Sequence, residues 1–126
     1  MEIQSIELHR VVATAIIHKE GQFLIVKRSM NKKVWPGRWT VPGGGLETTD
    51  YTNTPPTTSS GIWYNALANT LKREIKEETG LEMGEIHYLL DLAFIRPDQV
   101  PVLTLSFYAP WQAGEVKLDD ENTEFA

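Results

Sequence analysis

Between residues 9 and 18 the chain reads HRVVATAIIH, and the density of β-branched positions predicts a strand. Glu20-Gly21 predicts a turn, and residues 22–28 (QFLIVKR) a second strand hairpinned to the first. So much Val and Ile predicts a central strand pair covered on both faces. Further on, Trp63, Leu67, Leu71 and Ile75 recur four apart, which predicts a helix over 63–79 with Gly80 as its stop. Residues 86–95 and 102–109 predict two more strands. The turn-like Arg96-Pro97-Asp98-Gln99 between them makes a long antiparallel hairpin.

Polar segments separate these elements. Residues 31–39 form a loop with Lys32, Lys33 and Arg38 beside Trp35 and Trp39. It reads either as a hydrophobic plug with a solvated basic rim or as a lip over an anionic ligand. In 40–47, TVPGGGLE, a proline and three glycines signal a loop whose bare backbone can approach a ligand closely. Residues 50–61, DYTNTPPTTSSG, form an excursion, either a tolerated surface insertion or a lid or partner contact.

With 126 residues the chain is expected to fold as one domain, 1–126, large enough to bury a core without staples. The absence of cysteine excludes disulfides, a thiolate nucleophile and sulfur-ligated zinc, and three scattered histidines make an imidazole zinc site a poor fit. The net charge of -5 is concentrated at 115–124, where Glu115, Asp119, Asp120, Glu121 and Glu124 face only Lys117. Such a balance argues against gripping a nucleic-acid polymer. It leaves room for a phosphorylated small molecule bridged by a cation. No apolar run approaches the roughly 18 residues of a membrane span, so a cytoplasmic setting away from membranes is expected.

The candidate chemistry lies at the end of the expected helix. Glu74, Glu77 and Glu78 crowd a helix terminus where the dipole favours cations, and Glu74 and Glu78 repel each other one turn apart. A hard cation relieves that repulsion, and oxygen-only ligands suit Mg²⁺, with Mn²⁺ as a substitute. Arg73 can pair with Glu77 four residues on, or with an acid brought over by the glycine loop.

Arg73-Glu74-Ile75-Lys76-Glu77-Glu78-Thr79-Gly80-Leu81 resembles the helical half of the Nudix box, R-E-U-x-E-E-x-G-U, at every fixed position. Pro42-Gly43-Gly44-Gly45-Leu46-Glu47 resembles the glycine loop that opens it, giving a box region of 43–81. Three features depart from the pattern. After Gly44 and five intervening residues stands Asp50 where the box has Glu. Between Asp50 and Arg73 lie 22 residues instead of seven, an inserted loop over about 51–65. Counted back from Arg73, the acid position falls on Asn65, so the first box acid is either Asp50, reached through a loop, or lost. Finally, the sequence stops where the family's next strand and C-terminal helix are expected, which reads as a shortened C-terminus.

The resemblance implies an α+β Nudix fold, a mixed sheet in an α/β/α sandwich, here without its C-terminal helix. It implies Mg²⁺-dependent hydrolysis of a pyrophosphate bond in a nucleoside diphosphate derivative by metal-activated water. A (d)NTP or oxidised (d)NTP, giving NMP and pyrophosphate, is the first expectation. ADP-ribose or a sugar nucleotide, or a silent nucleotide-binding sensor, are the alternatives. Carried over, the metal ligands are Glu74, Glu77, Glu78 and the Gly43 carbonyl, with Glu121, then Glu124, as a further acid. Glu77 or Glu74 is expected as base, with Arg73 beside them. Arg28, Lys27, Arg38, Gly44 and Gly45 are expected against substrate, and Trp35, Phe94 and Phe107 as a face for a base. The family also allows a homodimer.

Overall fold

A computed structural model describes residues 2–126. After a single 3₁₀ turn, Ser5–Glu7, come strands β1 (Arg10–Lys19), β2 (Gln22–Phe23), β3 (Val26–Arg28), β4 (Trp39–Thr40) and β5 (Gly43–Gly45). Two helices follow, α1 (Thr49–Thr52) and α2 (Ala66–Thr79). The chain closes with β6 (Glu82–Met83), β7 (His87–Ile95), β8 (Pro101–Ala113) and β9 (Asn122–Phe125).

The expected strand over 9–18 is β1, at the centre of a mixed sheet. It runs parallel to β8 from Arg10↔Val102 to His18↔Pro110, and β8 pairs antiparallel with β7 on its other side, as the expected hairpin. Alternation puts Ala13, Ala15 and Ile17 on one face, all buried, against Leu71 and Ile75 of α2, which are fully enclosed. Burying each of these two side chains contributes about 1.5–3 kcal/mol. Val12 and Thr14 point to the opposite face.

The second expected strand breaks in two. Only β2 hairpins onto β1, after which Leu24 N–H reaches the Ile17 carbonyl at 3.0 Å and the chain leaves the sheet. Ile25 exchanges both backbone hydrogen bonds with Ala126, at 3.0 Å each, and β3 continues into a separate sheet between β4 and β9. This small sheet lies on the face away from α2, where a three-layer sandwich would carry a second helical layer. Residues 122–125, at the end that reads as shortened in the sequence, form its strand β9.

The helix starts at Ala66 rather than Trp63. Asn65 takes a left-handed φ of 61°, and Trp63 turns away to meet the Tyr51 ring at a tilt, 5.2 Å between centroids, and to donate from Nε1 to the Thr54 carbonyl at 2.9 Å. Its C-terminus is the expected one: Gly80, at φ 77°, returns its N–H to the Lys76 carbonyl at 3.0 Å. Two more terminal carbonyls are capped by the following acidic segment. Lys117 N–H meets Thr79 O at 2.7 Å and Asp119 N–H meets Glu78 O at 3.3 Å. The acidic run is thereby docked beside the helix carboxylates.

Candidate active site

A cleft of about 900 Å³ lies between the two sheets, walled at one end by α2. Its floor is the face of the large sheet turned away from α2. Register sets three rows across β1, β8 and β7: Arg10, Val102 and Phe94; Val12, Thr104 and Leu92; Thr14, Ser106 and Leu90. In the last of these, Thr14 Oγ1 and Ser106 Oγ are 3.0 Å apart.

The glycine segment, expected as a loop, forms the edge strand β5 against β1. Leu46 N–H bonds Val11 O and Ala15 N–H bonds Pro42 O, so Gly43, opposite Thr14, falls at a position that turns both its backbone polar groups away from β1. Its N–H donates to Glu78 Oε2 at 3.3 Å, and its carbonyl faces the same side. A side chain at Gly43 would collide with the Ala13 carbonyl, and one at Gly44 with the Glu74 carboxyl. Bare backbone is what lets the helix carboxylates reach the strand. Gly45 lies against the Arg10 guanidinium.

Of the two positions considered for the first box acid, Asp50 is the one brought to Arg73. The one-turn α1 delivers its carboxylate, 3% exposed, onto Arg73: Oδ1 accepts from Nε at 2.7 Å and lies 2.7 Å from Nη2. Oδ2 accepts from Glu47 N–H and Thr70 Oγ1, both at 2.8 Å. Burial pushes this acid upward, but the Glu47, Thr70 and Arg73 donors outweigh it and hold Asp50 below the usual carboxylate range. Arg73 in turn holds Glu74, Nη2 to Oε1 at 3.0 Å, and Glu77, Nη1 to Oε2 at 3.0 Å. The sequence hid this link because the spacing of the box is broken by residues that loop out and back.

Glu74, Glu77 and Glu78 all line the cleft. Glu78 is the most deeply set, and burial, with Glu74 and Asp119 nearby, pushes its carboxyl up to about 7 against the lowering pull of Gly43 N–H and Lys32. Burial raises Glu74 too, partly opposed by Arg73. Asp119 is raised by burial and by Asp120. Among the described residues, no three carboxylate or imidazole groups are drawn into a closed cage. Glu77 leans to Arg73 and Glu78 to Gly43, as like charges do when nothing positive stands between them. The donor set nevertheless fits Mg²⁺: oxygen only, on one helical flank, with carboxylates that burial and mutual repulsion leave poorly stabilised.

The other expected residues divide. Arg28 lines the cleft, its Nε and Nη2 donating to the carbonyls of Trp35 (3.2 Å) and Val34 (2.9 Å). Arg38 lines it as well, its guanidinium 5.8 Å from the Trp35 ring. Lys27 does not. It sits opposite Glu124 in the small sheet and pairs with it at 3.1 Å, which takes both residues away from the cleft. Glu121 is at the cleft rim, ion-paired with Lys32. Trp35 and Phe94 meet there at 5.6 Å, whereas Phe107 packs on the other face against Tyr88 at 6.0 Å. Residues 48–72 contribute nothing to the lining, so the insertion points away from the site. Arg10, Arg96, Asp119 and Asp120 line the cleft without having been singled out in the sequence. Strand register reveals the two arginines, and the capping of α2 the two aspartates.

A family model described as NUDIX domain matches residues 7–126. The chain belongs to the NUDIX family. Members hydrolyse nucleoside diphosphate derivatives and generally use divalent metals. An isopentenyl-diphosphate Delta-isomerase of Corynebacterium glutamicum is 30% identical over 131 residues, covering 94% of this chain and 60% of the relative. Phosphatase NudJ of Escherichia coli is 29% identical over 97 residues, 77% of this chain and 52% of its own. The chain thus spans little more than half the length of these NUDIX relatives. Among solved structures, a MutT protein from Methanosarcina mazei superposes with a TM-score of 0.71 at 27% identity, covering 94% and 75% of the two chains. The NUDIX domain of Shewanella oneidensis NrtR, in complex with ADP ribose, superposes at 0.68 and 18% identity, covering 95% and 72%, a likeness of fold. No helix among the described residues is long and apolar enough to cross a membrane.

Proposed function

We propose that this NUDIX domain hydrolyses the pyrophosphate bond of a nucleoside diphosphate derivative, with a (d)NTP or oxidised (d)NTP as first candidate and an ADP-ribose-like or sugar-nucleotide diphosphate as second. The observation that carries the reading is the array Asp50–Arg73–Glu74/Glu77 facing Gly43–Glu78 across the end of the cleft. Glu74, Glu77 and Glu78, with the Gly43 carbonyl, would hold Mg²⁺. When bound, the metal neutralises phosphate charge and lowers the pKa of an attacking water. Asp50 fixes the Arg73 guanidinium, and Arg73 restrains the rotamers of Glu74 and Glu77. Glu77, the more exposed of the two at 55%, or Glu74, at 16%, accepts the proton of the water. Arg28 and Arg38 lie on the path of the phosphates, and the Trp35–Phe94 pair offers an aromatic face to a base.

The similarity to an isopentenyl-diphosphate isomerase favours a second reading, in which the same diphosphate grip serves a rearrangement without P–O cleavage. Mass-spectrometric product analysis with Mg²⁺ decides. The panel comprises unmodified and oxidised nucleoside triphosphates, ADP-ribose, sugar nucleotides and isopentenyl diphosphate, with Glu78→Gln alongside. Nucleoside monophosphate formed by the parent and lost in the variant supports hydrolysis. Isomerised diphosphate with no phosphate released overturns it, and binding without turnover of any compound supports the sensor reading.

A further inference from the structure

At one edge of the large sheet, β7 pairs with β8 on one side and, among the described residues, with no strand on the other. The other strands at the sheet edges are four residues long or shorter, whereas β7 runs for nine, His87–Ile95. Long free edges are usually guarded by lysine or proline. Residues 87–95, HYLLDLAFI, contain neither, and their one formal charge, on Asp91, accepts the Tyr88 hydroxyl at 2.6 Å. The register slips once, at Leu89, and 90–95 is regular.

The register also shows which backbone groups are free. Arg96 N–H donates to the Val100 carbonyl at 2.9 Å, so Arg96, Phe94 and Leu92 turn their polar groups toward β8. Asp91, Ala93 and Ile95 turn theirs outward. Around this unpaired ladder the strand is apolar on both faces. Tyr88, Leu89, Leu90, Leu92 and Ile95 are between 42 and 61% exposed, and Tyr108 of β8 adjoins them, its ring stacked on His87 at 5.3 Å. Together these side chains present on the order of 500 Å² of apolar surface, near the top of what the largest patch on a monomer shows. A standard interface buries about 800 Å² on each partner, so the patch with its backbone edge supplies most of one.

We propose that β7 pairs antiparallel with β7 of a second copy of this chain, joining the two large sheets across a two-fold axis at Ala93. An axis normal to the sheet sets one residue opposite itself and makes the contact isologous. On Asp91 it would oppose two carboxylates, which is destabilising. On Ala93 it opposes the smallest side chain of the strand and engages all three outward-facing residues of both copies. Asp91 then faces the partner's Ile95, and Leu92 faces the partner's Phe94. No like charges are opposed. A second copy thus matches the edge along the whole of its regular stretch. Because Leu92 and Phe94 line the cleft, the partner's Phe94 joins its rim.

The test is analytical ultracentrifugation of the whole chain, with Ala93→Pro, Ile95→Asp and Ile95→Lys alongside. The parent is expected to dimerise with a dissociation constant below about 100 µM. Ala93→Pro removes an N–H that faces away from β8, which an edge strand tolerates, and is expected to leave a monomer. Ile95→Asp sets a second carboxylate against the partner's Asp91 and is expected to weaken the dimer at least tenfold. Ile95→Lys meets the same carboxylate with the opposite charge and is expected to stay within threefold of the parent. Position 95 is exposed, so these two variants report even where Ala93→Pro fails to fold. A parent that stays monomeric well above 100 µM overturns the proposal, whether the edge then takes up another extended chain or stays in water. A dimer that keeps its affinity in Ile95→Asp overturns it by placing the interface elsewhere. Equal losses in the two position-95 variants overturn the axis at Ala93.

Discussion

Asp50 and Arg73, 23 positions apart, are joined by a 2.7 Å hydrogen bond that closes the inserted loop onto α2. Asp50 is almost fully enclosed and every donor around it is aimed at a charged carboxylate. Asp50→Asn keeps the volume and removes the charge, leaving Arg73 to Glu74 and Glu77. What is lost is a set of hydrogen bonds to a charged group, for an expected loss of about 1.5–3 kcal/mol in urea unfolding. Because Asp50 acts through Arg73, kcat/KM is expected to fall about 10–100-fold at saturating Mg²⁺, with Asp50→Glu recovering part of it. Unchanged activity in a destabilised Asp50→Asn would reduce the contact to a structural tie.

Gly44→Ala separates metal binding from stability. The new methyl falls on the Glu74 carboxyl, the end of a flexible side chain, and Gly44 needs no left-handed backbone. The fold is expected to lose less than about 1 kcal/mol, because a rotamer change absorbs the clash. Mg²⁺ affinity, read by titration, is expected to drop at least tenfold, because Glu74 is then turned away. Gly43→Ala is expected to cost far more stability, since there the methyl meets the backbone of β1.

The insertion is fastened at its base by Tyr51 and Trp63, not at the cleft. Trp63→Ala removes both the ring contact and the Nε1 bond to Thr54, for an expected loss of about 1–3 kcal/mol. Activity is expected to fall with it, through loosening of α1 and Asp50. The exposed Ile62 and Tyr64 lie beyond that fastening, and Ile62→Ser/Tyr64→Ser is expected to leave KM and kcat within about twofold. A large KM change in this variant would place the loop over the substrate after all.

What was legible in the sequence was what depends on short-range pattern: β1, the β7–β8 hairpin, the body of α2 and the three carboxylates on its flank. The misreadings share one cause, pairing decided by residues far away. Val26–Arg28 leaves β1 because the chain end at Phe125 and Ala126 pairs with it, and the same event takes Lys27 out of the site by setting it against Glu124. Gly43–Gly45 looks like a loop in any local window and becomes a strand because β1 offers an edge that only glycine can approach closely. Arg10 and Arg96 bear no motif at all, and only the register across β8 brings them to one cleft.

The acidic site makes the protein without metal more stable in mild acid. Glu78, raised from 4.5 to about 7, binds a proton in the folded state across a window where the unfolded chain has released it. Stability therefore falls as pH rises from about 4.5 to 7 and is flat for this group above that, by up to about 3 kcal/mol if the whole shift is realised. Glu74 and Asp119, also raised, act in the same direction. Asp50, lowered, acts oppositely, but its contribution is lost only below its unfolded value of 3.8. Urea unfolding in EDTA is thus expected to show a more stable protein at pH 5.5 than at pH 8. Mg²⁺ binds the deprotonated carboxylates, so its stabilising effect is expected to grow over the same interval and to offset or invert the trend. Glu78→Gln, which cannot ionise, is expected to flatten both curves. A slope in EDTA left undiminished by this substitution would assign the titration to another group.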